Sequence, residues 1–157
     1  MPVRPSPESH EALVARMLAG VRASGLKLTR QREAIVHELA GDETHPTAQA
    51  LFERLLVRLP GVSFATVYNT LDALSSAGLC AALSLAPGAA RFDPNMGAHH
   101  HAVCDECGTV LDVPTRDGAS ERASAGGPPG FTVRAIERVY RGVCAACRAR
   151  PARSARS

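Results

Sequence analysis

The chain has no tryptophan and a single lysine, Lys27, and aromatic residues make up only 4 % of its 157 residues. Its cores must therefore be built from Leu, Val, Ile and Ala rather than from stacked rings. No stretch approaches the roughly 18 consecutive apolar residues that a membrane-spanning helix needs, which excludes that class. The first nine residues contain Pro2, Pro5 and Pro7 and no apolar run, so they do not read as a secretory signal. The expectation is a cytoplasmic chain with no membrane partner, where thiols stay reduced. Five cysteines in that setting point to metal ligation ahead of disulfides.

Hydrophobic residues make up 45 % and charged residues 21 %, enough for one ordinary domain or two small ones. The formal net charge of +3 is carried almost wholly by arginine. It permits a nucleic-acid partner without requiring one.

Hydrophobic periodicity divides the first half into helices. Leu13, Val14, Met17, Leu18 and Val21 recur at helical spacing until Gly25. A second helix starts behind Thr29 and runs through Ile35, Val36 and Leu39 to Gly41. A third follows His45-Pro46-Thr47, with Leu51, Phe52, Leu55, Leu56 and Leu59 on one stripe, and closes at Pro60-Gly61. The fourth has Ser63 as N-cap, Val67, Leu71 and Leu74 as its buried stripe, and Gly78 at its end.

The period then changes. Ala81 to Leu85 and Ala89 to Asp93, around Pro87-Gly88, read as a β-hairpin. Helices followed by a hairpin is the order of a winged helix. Beyond Asn95, His99 to Cys104 and Thr109 to Val113 read as strands, and Phe131 to Val143 holds one or two more. Residues 115–130 are rich in Gly, Ser, Ala and Pro, with at most a short weak helix, and the basic tail is expected to be disordered. The fold class is α+β.

Cys104-Asp-Glu-Cys107 and Cys144-Ala-Ala-Cys147 are two C-x2-C knuckles. Each turn brings two sulfurs to one side, and two knuckles complete the tetrahedral S4 shell of a structural Zn2+. A redox-active pair is the competing reading, but it leaves the second knuckle without a role. Cys80, at the end of the fourth helix, reads as a small buried hydrophobe.

His99, His100 and His101 precede the first knuckle. On a strand, His99 and His101 share a face and can share one metal, and Asp93 and Asp112 lie nearby in sequence. Such imidazole and carboxylate donors suit Fe2+, Mn2+, Ni2+ or Zn2+. A solvated poly-His run is the alternative, and spacing alone does not place His45 beside the others.

These residues together resemble the ferric uptake regulator (Fur) superfamily over about residues 25–148. The resemblance rests on Gly25-Leu-Lys-Leu-Thr-Arg-Gln-Arg32, His45-Pro-Thr47, Ser63-Phe-Ala-Thr-Val-Tyr-Asn-Thr-Leu71, Arg91-Phe-Asp93, His99-His-His-Ala-Val-Cys104 and both knuckles, all in the family's order. It implies a homodimer on a double-stranded DNA operator. Residues 1–93 would be a winged-helix DNA-binding domain, 94–150 a small α/β dimerisation and metal-binding domain, and 151–157 a tail. It also implies that the fourth helix reads the major groove through Ala65, Thr66, Tyr68 and Asn69, with Arg30 and Arg32 on the DNA backbone.

Within the superfamily the chain is most similar to the peroxide-responsive repressors (PerR). Carried over by position, their regulatory ligands are His45, Asp93, His99, His101 and Asp112, holding Fe2+ or Mn2+. Iron-uptake members usually have Glu at position 112 and Arg at 69, and zinc-uptake members usually have Cys near 93; this chain has Asp112, Asn69 and no such Cys. A further site of some relatives needs a His after Phe131, where this chain has Arg134, Ala135 and Ile136, which leaves His100 an orphan.

The expected function is a metal-dependent repressor that senses peroxide by sacrificial oxidation of a ligand His, not an enzyme, and with no small organic substrate. A repressor that reads metal supply alone is the nearest alternative. A metal-dependent hydrolase would need an open coordination position and a cleft. A zinc-ribbon interaction module would leave the first 90 or so residues idle.

Overall fold

The computed structural model describes residues 8–85, 87–115 and 126–150. The chain divides into two compact units that part between Met96 and Gly97.

The first unit contains four helices, α1 (His10–Ala23), α2 (Arg30–Ala40), α3 (Ala48–Arg58) and α4 (Phe64–Ser76), and then the strands β1 (Ala81–Leu83) and β2 (Arg91–Asp93). Each helix starts on a Ser or Thr whose hydroxyl accepts an otherwise unpaired amide three residues on: Ser9 from Ala12, Thr29 from Arg32, Thr47 from Ala50 and Ser63 from Thr66. The end of α4 is equally well defined. Gly78 takes a left-handed φ of 70° after α4, and the Leu79 amide donates back to the Leu74 carbonyl at 2.9 Å.

The apolar stripes meet as the periodicity requires. Met17 and Val21 of α1, Ile35, Val36 and Leu39 of α2, Leu51 and Leu55 of α3, and Val67, Leu71 and Leu74 of α4 are all closed to solvent. Phe92 of β2 joins this core, as does Cys80, the small buried hydrophobe the sequence led us to expect. β1 and β2 pair antiparallel with Ala82 opposite Phe92. The hairpin is shorter than its sequence suggested: pairing stops at Leu83 and resumes only at Arg91.

The second unit is a three-stranded sheet in the order β4-β3-β5, from β3 (His99–Cys104), β4 (Val110–Pro114) and β5 (Val139–Gly142), followed by one helical turn, Ala145–Arg148. β4 is antiparallel to β3 and begins one residue later than expected, whereas β5 is parallel to it. The region from Phe131 to Val143 thus contributes one strand. Most of the weak 115–130 segment and the tail beyond residue 150 lie outside the described residues. Among those described, no helix is long and apolar enough to cross a membrane.

Candidate metal centres

The period-2 geometry of β3 sorts the three consecutive histidines. His101 lies opposite Asp112 and Val139, whereas His100 lies opposite Val113 on the other face. The opposite face also carries the row Leu111, Ala102 and Tyr140. His100 is buried there, 6.3 Å ring to ring from Tyr140, and its Nδ1 accepts the Arg138 amide at 3.2 Å. The residue that motif reasoning left without a role is thus a structural pin between β3 and the chain leading into β5.

His99 and His101 turn their Nε2 atoms toward each other, 3.0 Å apart, and Asp112 Oδ1 lies 3.5 Å from His99 Nε2. The outer edges of both rings decide what sits on the inner edges. His99 Nδ1 lies 2.7 Å from the Gly97 carbonyl and His101 Nδ1 lies 2.9 Å from the Glu137 carboxylate, and both of these partners only accept. These acceptors favour a proton on Nδ1 of each ring, which turns two Nε2 lone pairs toward each other beside a carboxylate. That arrangement suits a cation between the donors.

In the first unit, His45 and Asp93 are both buried, with His45 Nε2 3.6 Å from Asp93 Oδ2. His45 has a φ of 54°, the only left-handed non-glycine among the described residues, and it precedes Pro46. Such a backbone costs of the order of 1–3 kcal/mol and persists only where its surroundings impose it. Here Arg91 donates to the His45 carbonyl at 3.0 Å, and the Phe92 amide donates to the Pro46 carbonyl at 2.9 Å. The Asp42 carboxylate accepts the Thr44 amide at 2.7 Å and pairs with Arg54, closing the turn just before His45. Burial would raise the Asp42 pKa, but the hydrogen bonds from Thr44 and Arg54 outweigh it and hold the carboxyl below its ordinary value. Cys80 is pushed up to about 12 by burial and by the Asp93 charge, so it stays a thiol.

These donor spacings suit a divalent ion, since neighbouring ligand atoms with bonds near 2.1 Å lie about 3.0–3.4 Å apart. Imidazole and carboxylate donors without sulfur fit Fe2+ or Mn2+.

All four knuckle cysteines converge, with their sulfurs within 4.8 Å of one another and Cys107 Sγ 3.7 Å from Cys144 Sγ. The edge of a ZnS4 tetrahedron with bonds near 2.3 Å is about 3.8 Å. All four thiols are free rather than paired in disulfides. The Cys144 and Cys147 amides point at sulfur, 3.3 Å from Cys104 Sγ and 3.4 Å from Cys144 Sγ. Four thiols this close cannot all ionise alone. Hydrogen bonds from Thr109 bring Cys107 down to about 6 and the Cys144 amide lowers Cys104, whereas the neighbouring Cys107 and then burial push Cys147 up to about 12. A dication removes that conflict, and the cluster fits a structural Zn2+.

α4 presents Ala65, Tyr68 and Asn69 to solvent and half-buries Thr66, opposite the sealed face of Val67, Leu71 and Leu74. Phe64, which sequence reasoning passed over, is also exposed and packs 5.7 Å ring to ring on Phe52 and 6.4 Å from Tyr68. Arg30 is exposed; Arg32 donates to the Lys27 carbonyl at 2.6 Å and so ties down the loop before α2. Arg91 and Glu137 were also missed as contributors. Arg91 stands in the Arg91-Phe-Asp93 motif and Glu137 in none, and neither role shows in the sequence because each works through a partner that folding supplies.

The model of the ferric uptake regulator family matches residues 23–137. A peroxide-responsive repressor, PerR, of Staphylococcus aureus is 35 % identical over 105 residues, which is 67 % of this chain and 71 % of the relative. The ferric uptake regulator of Helicobacter pylori, a protein described as having three functional metal-binding sites, superposes with a TM-score of 0.71 over 92 % of this chain and 97 % of its own, at 18 % identity, a likeness of fold. The manganese-bound ferric uptake regulator of Pseudomonas aeruginosa superposes with a TM-score of 0.60 at 28 % identity, over 81 % of this chain and 96 % of its own.

Proposed function

The chain belongs to the ferric uptake regulator family, and from that premise we propose that this metal-responsive repressor senses hydrogen peroxide, as a homodimer on double-stranded DNA. The observation that carries the metal-sensing core is the converging pair of Nε2 lone pairs on His99 and His101 beside Asp112. His45 and Asp93, paired in the first unit, would supply the complementary donors. One Fe2+ or Mn2+ ligated by all five would fix the orientation of the DNA-reading unit against the dimerisation unit. Metal and operator binding are then reciprocally coupled, typically by about 1–3 kcal/mol.

The chain's own residues make this a switch. Arg91 holds the His45 carbonyl, the Gly97 carbonyl holds the outer edge of His99, and the zinc knuckles anchor the end of β3. α4 offers Tyr68 and Asn69 to the major groove, where Asn can pair bidentately with adenine. The half-exposed row of Leu111 and Tyr140 across Ala102 gives a second copy an apolar face to cover, continued by exposed Val143.

Bound iron supplies the reduction of peroxide beside the imidazoles. In net terms one oxygen atom of H2O2 enters an imidazole C–H bond and the other leaves as water. The residue is consumed rather than turned over, so the role is sensing, not catalysis. Asp112, Asn69 and the 35 % identity to a PerR favour this reading. The 28 % identity to a manganese-bound ferric uptake regulator favours a second one, in which the protein measures metal supply alone.

Peptide mass spectrometry of Fe2+-loaded protein after a low dose of peroxide, with Mn2+-loaded protein as control, separates them. One added oxygen on the His45 or His99 peptide, with iron only and together with lost DNA binding, supports peroxide sensing. Unmodified histidines with intact DNA binding leave the metal-supply reading.

A further inference from the structure

One carboxylate beside the second unit's donors belongs to none of the proposed ligands. Glu137 Oε1 lies 2.9 Å from His101 Nδ1, on the edge of the ring away from His99. From there it cannot reach an ion held by Nε2, because the whole imidazole stands between them. The segment carrying Glu137 is fixed to β3 from both sides. The His101 amide donates to the Arg138 carbonyl at 3.0 Å, and the Arg138 amide donates to His100 Nδ1 at 3.2 Å. The side chain of His101 is only 3 % exposed, whereas that of Glu137 is 52 % exposed, so the ring is sealed in one orientation by a carboxylate that itself keeps contact with solvent.

We propose that Glu137 is the positioning residue of His101: its carboxylate accepts the Nδ1 proton, selects that tautomer and aims the Nε2 lone pair at the ion. The proposal rests on the regulatory-metal reading above and adds to it a residue that is not a ligand. A ring free to carry its proton on Nε2 presents no lone pair to the metal, and a ring free to rotate loses its aim. For His99 the same task falls to the Gly97 carbonyl, which no substitution of a side chain removes. Glu137 is thus the point at which the outer shell of this half-site is open to mutation.

The test uses the full zinc-loaded chain with Mn2+ alone as probe. Binding is measured by competition with a chelating dye, and the His101 tautomer by 15N NMR before Mn2+ is added. Glu137→Ala is expected to weaken Mn2+ binding about 10–100-fold and to give a mixture of His101 tautomers, with zinc content and β3 amide protection unchanged. Glu137→Gln keeps an oxygen that accepts the Nδ1 proton, so it should restore the tautomer and most of the affinity. If Glu137→Ala leaves both affinity and tautomer unchanged while His101→Ala still abolishes Mn2+ binding, the positioning role is overturned and the site stands. Equal loss in the Gln and Ala variants with an unchanged tautomer also overturns it, because Glu137 would then act by charge alone. His101→Ala with undiminished Mn2+ binding would break the regulatory reading itself.

Discussion

Stripping the zinc should unfold the second unit and leave the first intact. Among the described residues of that unit, the buried apolar side chains besides the cysteines are Val103 and Val110. Fully burying a valine contributes about 1.5–3 kcal/mol, so the two supply roughly 3–6 kcal/mol. A structural zinc site contributes about 10–16 kcal/mol. The knuckles bind the end of β3 and the turn after it to the chain just beyond β5, the least buried of the three strands. Covering the Leu111 and Tyr140 face in a dimer adds stability only once the sheet exists to present it. The measurement is amide hydrogen exchange on protein stripped with a strong chelator, or on Cys107→Ser, read beside far-UV circular dichroism. Protection should vanish from β3, β4 and β5 and persist in α1 to α4, with most helical signal retained. Undiminished protection of the β3 and β4 amides in zinc-free protein would refute the argument.

Asn69→Ala should weaken operator binding by about 1–3 kcal/mol, or roughly 5–150-fold, without shifting the melting temperature, because Asn69 is exposed on α4. A gel-shift titration and a thermal melt on the same sample check both, and a lowered melting temperature with unchanged affinity would contradict it. Asp42→Asn should cost about 1–3 kcal/mol at neutral pH through its bonds to Thr44 and Arg54. Because folding holds the Asp42 pKa below its ordinary value, that contribution is fully present above about pH 4 and fades as pH falls through the lowered value. Denaturation of both proteins from pH 7 to 3 should show the gap closing; a constant gap would refute the assignment. Gly78→Ala places a side chain in open space, so its cost should be only that of a left-handed alanine, about 1–2 kcal/mol by urea denaturation.

Much of this protein is written locally. The helix starts at Thr29, Thr47 and Ser63 and the buried stripe of α4 follow from hydroxyl caps and 3.6-residue periodicity, and both act within a few residues of chain. The pairing of sulfurs within each knuckle also follows from local rules, since each C-x2-C turn brings its own two together, although the meeting of the two knuckles does not. The split of His99 and His101 from His100 is likewise fixed by the two-residue period of a strand.

What the tertiary structure decided involves groups far apart in sequence. No local rule turns Arg91 onto the His45 carbonyl or sets Glu137 on His101, because those pairings depend on how β2 meets the turn before α3 and how β5 runs parallel beside β3. The true hairpin ends, the single strand within 131–143 and the burial of His100 against the Arg138 amide belong to the same class. Sequence named the atoms that can ligate a metal. Folding chose which lone pairs they present, because the proton on each imidazole is placed by a partner that only the packed chain brings within reach.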